Sequence, residues 1–177
     1  MAVRDERGFS LLELVIVVVI ISLLTVFAID RLLKLRFEAE RVMVQSVVAG
    51  LRSALYIDFA AAAAKGQMDR IAGAPGSNPM LRLSEMPETY AGEFYGPDPA
   101  VFEPGTWYFD TRDHALVYVL RFPEQFVSPL GGPPRARFRI EPDYDDIDHN
   151  GRYDPGRDPL RGLKLVPVEP FSWKEKK

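Results

Sequence analysis

The sequence contains no cysteine. That absence excludes a disulfide framework and a thiolate zinc site, two staples that small exported domains often use. Histidine is scarce as well: His114 falls in a Thr111-Arg112-Asp113-His114 turn and His149 in an acidic stretch. Neither belongs to a zinc-type pair or stands with a serine-nucleophile motif, and no glycine-rich phosphate loop is present. Lysine and arginine form no cluster, and a formal net charge of −3 is too small to mark a nucleic-acid binder. Catalysis has no positive signal, so the expectation is a protein that is not an enzyme. A length of 177 residues suits one folded domain plus an anchor better than two independent domains.

What the chain does have is an apolar run over residues 9–29 that holds one carboxylate, Glu13, near its start. At ~1.5 Å per residue, its roughly 21 residues reach about 31 Å as a helix, the thickness of a bilayer's hydrocarbon core. An ionised Glu inside such a helix is unfavourable by about 2.5 to 3.5 kcal/mol on insertion scales, so it calls for a charged partner. A cut between Gly8 and Phe9 would create one, because the new ammonium at Phe9 would lie on the same helix face as Glu13, about 6 Å along the axis. The same carboxylate could instead meet the ammonium of a neighbouring copy. Two plainer readings compete. One is a secretory signal peptide cleaved after Val26-Phe27-Ala28, against which stand the length of the run and the Glu13 within it. The other is a single-pass anchor with an accidental Glu. Neither accounts for Gly8-Phe9 standing at the junction.

The polar leader of residues 1–7, then Gly8-Phe9-Ser10-Leu11-Leu12-Glu13 and the apolar stretch, resembles the class III signal of type IV pilins and type II secretion pseudopilins. The resemblance implies a membrane-embedded prepilin peptidase that cuts after Gly8, N-methylation of Phe9, and an assembly role for Glu13. It also implies that the retained apolar helix becomes the core of a fibre. The leader departs from the pattern, since Arg4 and Arg7 are balanced by Asp5 and Glu6. Arg31, Lys34 and Arg36 follow the run, so charge counts do not orient the helix, and a cytoplasmic N-terminus rests on the resemblance alone. Asp30 stands where the family commonly has a proline.

Beyond the run, neither proline nor glycine interrupts the chain before Gly50, and Leu33, Phe37, Val44, Val47, Val48, Leu51, Leu55 and Phe59 fall at helical spacing. The expected helix runs from Phe9 to about Ala64, with Glu38, Glu40, Arg41, Arg52 and Asp58 on its other faces. Lys65-Gly66 supplies a cation in the last turn and a glycine past the end. Gly, Pro, Ser and Asn then punctuate residues 66–105, expected as a long connection with one short helical turn after Ser84. Trp107–Asp110 and Ala115–Phe122 read as an antiparallel hairpin. In Arg135–Ile140, arginines alternate with Ala136, Phe138 and Ile140, giving one wet and one buried face, the arginine face expected as solvated surface. Leu163–Val168 makes a fourth strand, and Pro167 places it at an edge or ends it there.

Between the third and fourth strands lies an acidic stretch. Asp146, Asp148, Asn150 and Gly151 match the opening of a calcium loop, with oxygen ligands at alternate positions and glycine sixth; Asp154 falls ninth. Arg157 occupies the twelfth position, where a bidentate Glu belongs, and Asp158 could substitute only in a reshaped loop. The candidate Ca²⁺ ligands are Asp146, Asp148, Asn150, the backbone carbonyl of Arg152, Asp154 and Asp158. The competing reading is an exposed acidic turn. Major type II pseudopilins bind calcium in a C-terminal loop, a resemblance of location and chemistry only.

The expected fold is α+β and pilin-like: a long N-terminal helix, transmembrane in its first half, packed on a small antiparallel sheet. The expected parts are a leader of residues 1–8, a membrane segment of 9–29 and a periplasmic domain of 30–177. That domain comprises helix to about 65, connection 66–105 and sheet region 106–177. The resemblance implies a structural subunit of a type II secretion pseudopilus, single-pass in the bacterial inner membrane. Its partners would be the prepilin peptidase, other pseudopilins or pilins, membrane lipid, and an inner-membrane platform with its ATPase. The alternatives are a minor pilin of a type IV pilus or competence system and, from another class, a membrane-anchored periplasmic calcium- or ligand-binding module.

Overall fold

The computed structural model of the chain describes residues 10–174. Its first element, α1, runs Leu11–Lys65, so the helix expected from the unbroken apolar spacing is present. The chain divides into two compact units, Met1–Ala39 and Glu40–Lys177.

In the first unit, side chains of residues 10–33 are all exposed. A helix that is apolar on every side and uncovered by its own chain suits lipid, not water. α1 is long and apolar enough to cross a membrane. The hydroxyls within the run are satisfied by the helix itself: Ser22 Oγ donates to the carbonyl of Val18 at 2.7 Å and Thr25 Oγ1 to that of Ile21 at 2.8 Å.

In the second unit, residues 40–65 of α1 bury Val44, Val48, Leu51 and Leu55, spaced four, three and four apart so that one stripe faces inward. The strands are β1 Tyr90–Phe94, β2 Trp107–Asp110, β3 Ala115–Val119, β4 Phe126–Val127, β5 Arg135–Tyr144, β6 Leu160–Pro167 and β7 Ser172–Trp173. Five form a sheet in the order β1-β2-β3-β5-β6, while β4 and β7 pair separately. The α1 stripe joins Trp107, Phe109, Leu116, Tyr118, Phe138, Ile140 and Leu165 in one core. Trp107 packs against Tyr118 with ring centres 4.7 Å apart and the planes tilted by 42°. The arrangement is α+β, a long helix followed by a small, mostly antiparallel sheet.

Several local expectations change. The connection of residues 66–105 contains a strand, β1, which pairs parallel to β2 with a register shift between Tyr90 and Glu93. Gly92, at φ 111°, breaks the alternation that would have marked it as a strand. No turn of helix follows Ser84; a 3₁₀ turn at Pro79–Arg82 comes earlier, capped by the Asn78 side chain, which accepts from Met80 N at 3.0 Å. A short helix, α2, occupies Met68–Ala72. β3 stops at Val119, and β5 continues past Ile140 to Tyr144. β6 is an edge strand carrying Pro167, as its proline implies.

The arginine face of β5 is paired and not merely solvated. Arg137 binds Glu169 and, at 2.8 Å, Asp113, tying β5 to the β2–β3 turn and to the segment after β6. These bonds to Glu169 and Asp113 also hold the Arg137 guanidinium above its usual pKa.

Glu40 departs furthest from its expected place. It lies four residues before Val44, on the buried stripe, and is 5% exposed. Oε1 accepts from the Tyr118 hydroxyl at 2.8 Å and from Arg121 N at 2.6 Å, and Oε2 accepts from Phe122 N at 2.8 Å. This carboxylate clasps α1 to the end of β3, where the ladder runs out and the backbone N–H groups need other acceptors. Burial and the bond to Glu40 both push the Tyr118 phenol well above its usual pKa. Replacing Glu40 by Ala strands three donors at about 1 to 3 kcal/mol each, so after relaxation the loss should be about 3 to 5 kcal/mol, with Glu40→Gln losing less. Urea unfolding of the detergent-solubilised chain measures it; a loss under about 1 kcal/mol would remove the clasp role.

Candidate functional site

Two places carry candidate function. At the first, Gly8 and Phe9 lie outside the described residues. The structure begins at Ser10, and Ser10 is the N-cap of α1: its Oγ accepts from Glu13 N at 3.2 Å and its carbonyl from Leu14 N at 3.0 Å. Glu13 therefore sits in the first turn, where the helix dipole favours a carboxylate. Ser10-Leu-Leu-Glu13 has the spacing of a capping box, a signal legible in the sequence that was not among the expectations.

The second place is the loop between β5 and β6, closed at its base by Asp145 N donating to the carbonyl of Pro159 at 3.0 Å. His149 and Gly151 take positive φ of 60° and 75° and curl the chain back on itself. One oxygen from each of Asp146, Asp148 and Asp158 lies within 4.8 Å of the others. The chain holds these groups through backbone donors. Asp146 accepts from Gly151 N at 2.8 Å and Asn150 N at 3.1 Å, and the Gly151 bond leads the effects that hold its carboxyl below the usual range. Asp158, 4% exposed, accepts from Asp154 N at 2.9 Å and Ile147 N at 3.2 Å.

The remaining candidates stand around this trio. Asn150 Nδ2 donates to Asp154 at 2.7 Å and to Asp148 at 3.1 Å, while its Oδ1 accepts from Arg152 N at 2.7 Å. Arg157, at the position where the motif wants a Glu, instead pairs with Asp148 at 3.0 Å. Asp158, one step later in sequence, is turned into the cluster beside Asp146 and Asp148 by the Asp154–Asp158 turn, in which Asp158 N donates to the carbonyl of Asp154 at 3.0 Å. Three converging carboxylates with no sulfur or imidazole ligand make a hard-oxygen donor set, which fits calcium and not zinc.

Just outside the cluster, Asp143 on β5 meets Lys164 on β6 at 2.9 Å and Arg161 at 3.3 Å.

An apolar N-terminal helix leading into a small, mostly antiparallel sheet is the arrangement of a pilin-like fold. Residues 3–29 match the family model described as the prokaryotic N-terminal methylation motif, so the chain carries the prepilin-type N-terminus of type IV pilin-like proteins. Neither curated proteins nor solved structures match the chain.

The Asp143 pair has a definite pH signature. Its hydrogen bond to Lys164 holds the Asp143 carboxyl below the usual range. A depressed folded-state pKa contributes stability that is fully present above the unfolded value near about 3.9 and is lost as pH falls through the folded value. Urea midpoints of the metal-free chain should therefore fall on acidification below about pH 4. Asp143→Asn should show a shallower acid limb, and coincident limbs for the two chains would show that the pair makes no difference to stability.

Proposed function

We propose that the chain is a structural subunit of a type II secretion pseudopilus. In this reading residues 1–8 are the leader, residues 9–29 the membrane part of the helix and residues 30–177 the periplasmic domain. The observation that carries it is the methylation motif over residues 3–29 joined to an uncovered apolar helix. Processing by a prepilin peptidase would cut between Gly8 and Phe9 and methylate the new Phe9 amine. Glu13 would then neutralise the Phe9 ammonium of an adjacent subunit as helices leave the bilayer for a fibre. The platform and its ATPase in the inner membrane would drive that step. A minor pilin of a type IV pilus shares all of this; the absence of cysteine favours the pseudopilin, because many pilins close their C-terminal region with a disulfide.

Co-expression with a prepilin peptidase should yield a chain that begins at Phe9, read by intact mass spectrometry. A mature start at Ile29 would establish a secretory signal and remove the fibre reading, and an uncut Met1 would leave a plain anchor.

The loop between β5 and β6 is proposed as a Ca²⁺ site formed by Asp146, Asp148 and Asp158, with Asn150, Asp154 and the Arg152 carbonyl completing it. Bound there, a cation would screen the carboxylates from one another and staple the two strands. With a dissociation constant on the order of 10⁻⁴ to 10⁻³ M, a tenfold excess of calcium should stabilise the chain by about 1.4 kcal/mol. Thermal melts with calcium and with chelator test this. Identical melts at millimolar calcium, for the wild type and for Asp148→Ala alike, would return the loop to an acidic turn.

A further inference from the structure

We infer that a cleft between α1, β5 and the C-terminal segment binds a single-chain aliphatic carboxylate, with Arg52 holding the carboxylate and an aromatic wall holding the chain. The inference stands apart from the fibre reading and uses residues of the second unit alone.

The cleft has a volume of about 410 Å³, within the roughly 300 to 1,000 Å³ of small-molecule sites. Gln45, Val48 and Arg52 line it from one side of α1, three and four residues apart, with Val44 beside them. Most of the remaining wall is aromatic: Phe138 of β5, and Phe171 and Trp173 near the end of the chain. Phe138 and Phe171 meet edge to face with ring centres 5.7 Å apart. Phe126, which does not line the cleft, packs on Phe171 at 5.2 Å and on Trp173 at 5.1 Å and so braces the wall.

Polar chemistry here is sparse and of one sign. Arg52 brings a cation and Gln45 a neutral amide. The guanidinium is oriented by Leu165, whose carbonyl accepts from Nε and Nη2 at 3.3 Å each, which leaves the Nη1 end of the fork for an anion. One cation matches a carboxylate better than a phosphate monoester, whose charge is about −2. A peptide is a poorer occupant than a hydrocarbon chain, because its N–H and C=O groups would need partners that valines and phenylalanines lack. The neighbouring edge strand β6 offers no ladder at this point, since Arg52 takes the Leu165 carbonyl and Pro167 has no N–H. At about 30 Å³ per methylene-sized group, the share a water takes in the liquid, the cleft has room for about a dozen such groups. It therefore admits one chain and excludes the paired tails of a phospholipid. A bound chain would lie against both α1 and the C-terminal segment and tie one to the other.

The probe is octanoate, titrated into the full chain in phosphatidylcholine nanodiscs, with Trp173 fluorescence as the readout. Trp107, the other of the 2 tryptophans, is wholly buried and does not line the cleft. Wild type should give a saturable change with a dissociation constant on the order of 10⁻⁴ to 10⁻³ M, as a ligand of roughly ten non-hydrogen atoms allows. Trp173→Phe should lose the signal. Octanol, the same chain without the charge, should bind about tenfold more weakly, and Arg52→Gln should weaken octanoate by a similar factor while leaving octanol unchanged. Gln45→Phe, at an exposed helix position, should fill the cleft and weaken both ligands, so it and the octanol comparison decide the matter if Arg52→Gln unfolds. A signal that does not saturate, equal binding of octanol and octanoate, or wild-type octanoate affinity in Arg52→Gln or Gln45→Phe would overturn the inference. So would tighter binding of N-acetyl-leucyl-leucine than of octanoate, which would make the cleft a site for a peptide terminus.

Discussion

The second unit depends on the burial of a single stripe of α1. Val44, Val48, Leu51 and Leu55 are almost wholly removed from solvent, each stabilising the fold by about 1.5 to 3 kcal/mol relative to exposure. They are the helical half of a two-layer core whose other half is the inner face of the sheet. The stripe covers the inner face of the five-stranded sheet, including Trp107, Tyr118 and Phe138, and Met80, Phe126, Phe171 and Trp173 pack against the same core. Glu40 extends the same stripe by one turn in polar form, so helix and sheet are joined by apolar contact along most of the stripe and by charge-assisted bonds at its start.

One helix thus serves two environments. Residues 10–33 are exposed and apolar all round apart from scattered polar groups, the pattern for lipid, while residues 40–65 are apolar on one side, the pattern for a water-facing domain. The polar groups within the first stretch are handled locally: Ser22 and Thr25 bond back to the preceding turn, and Ser10 caps the start. Local satisfaction of these hydroxyls suits a segment that is to reside in a bilayer and later pack against other helices, whereas the Glu13 carboxylate still calls for a charged partner there.

The far end of the domain lacks a covalent tie, because the chain has no cysteine. Charge replaces it. Arg137 links β5 to Asp113 and Glu169, and Asp143 bridges to Lys164 across the β5–β6 pair. Beyond these strands, the loop gathers Asp146, Asp148 and Asp158, with backbone N–H groups holding each carboxylate in place. Backbone donors position the oxygens but do not cancel their charge, and Arg157 offsets only part of it at Asp148. The excess negative charge is the physical argument for a cation there.

The elements that could be read along the chain were those specified by local periodicity. α1 declared itself by apolar spacing and by the lack of proline throughout and of glycine before Gly50, and its end by Lys65-Gly66. β5 declared itself by arginines alternating with Ala136, Phe138 and Ile140, and the motif at residues 3–29 by a short run of residues in order. What stayed hidden required partners distant in sequence. β1 exists because β2 lies beside it in parallel; with Gly92 inside it, it has little strand character of its own. Glu40 looked like one more surface carboxylate until the donors of Tyr118, Arg121 and Phe122 came within reach from about 80 residues away, a separation at which no local pattern can report a hydrogen bond. Asp158 was out of register by motif counting, and only the turn from Asp154 to Asp158 brought its carboxylate to Asp146 and Asp148. Periodicity and capping are properties of neighbouring residues, so the sequence alone determined the helix, its apolar character and the strand pattern. Pairing order, buried charge and the convergence of carboxylates depend on which distant segments meet, and that the tertiary structure decided.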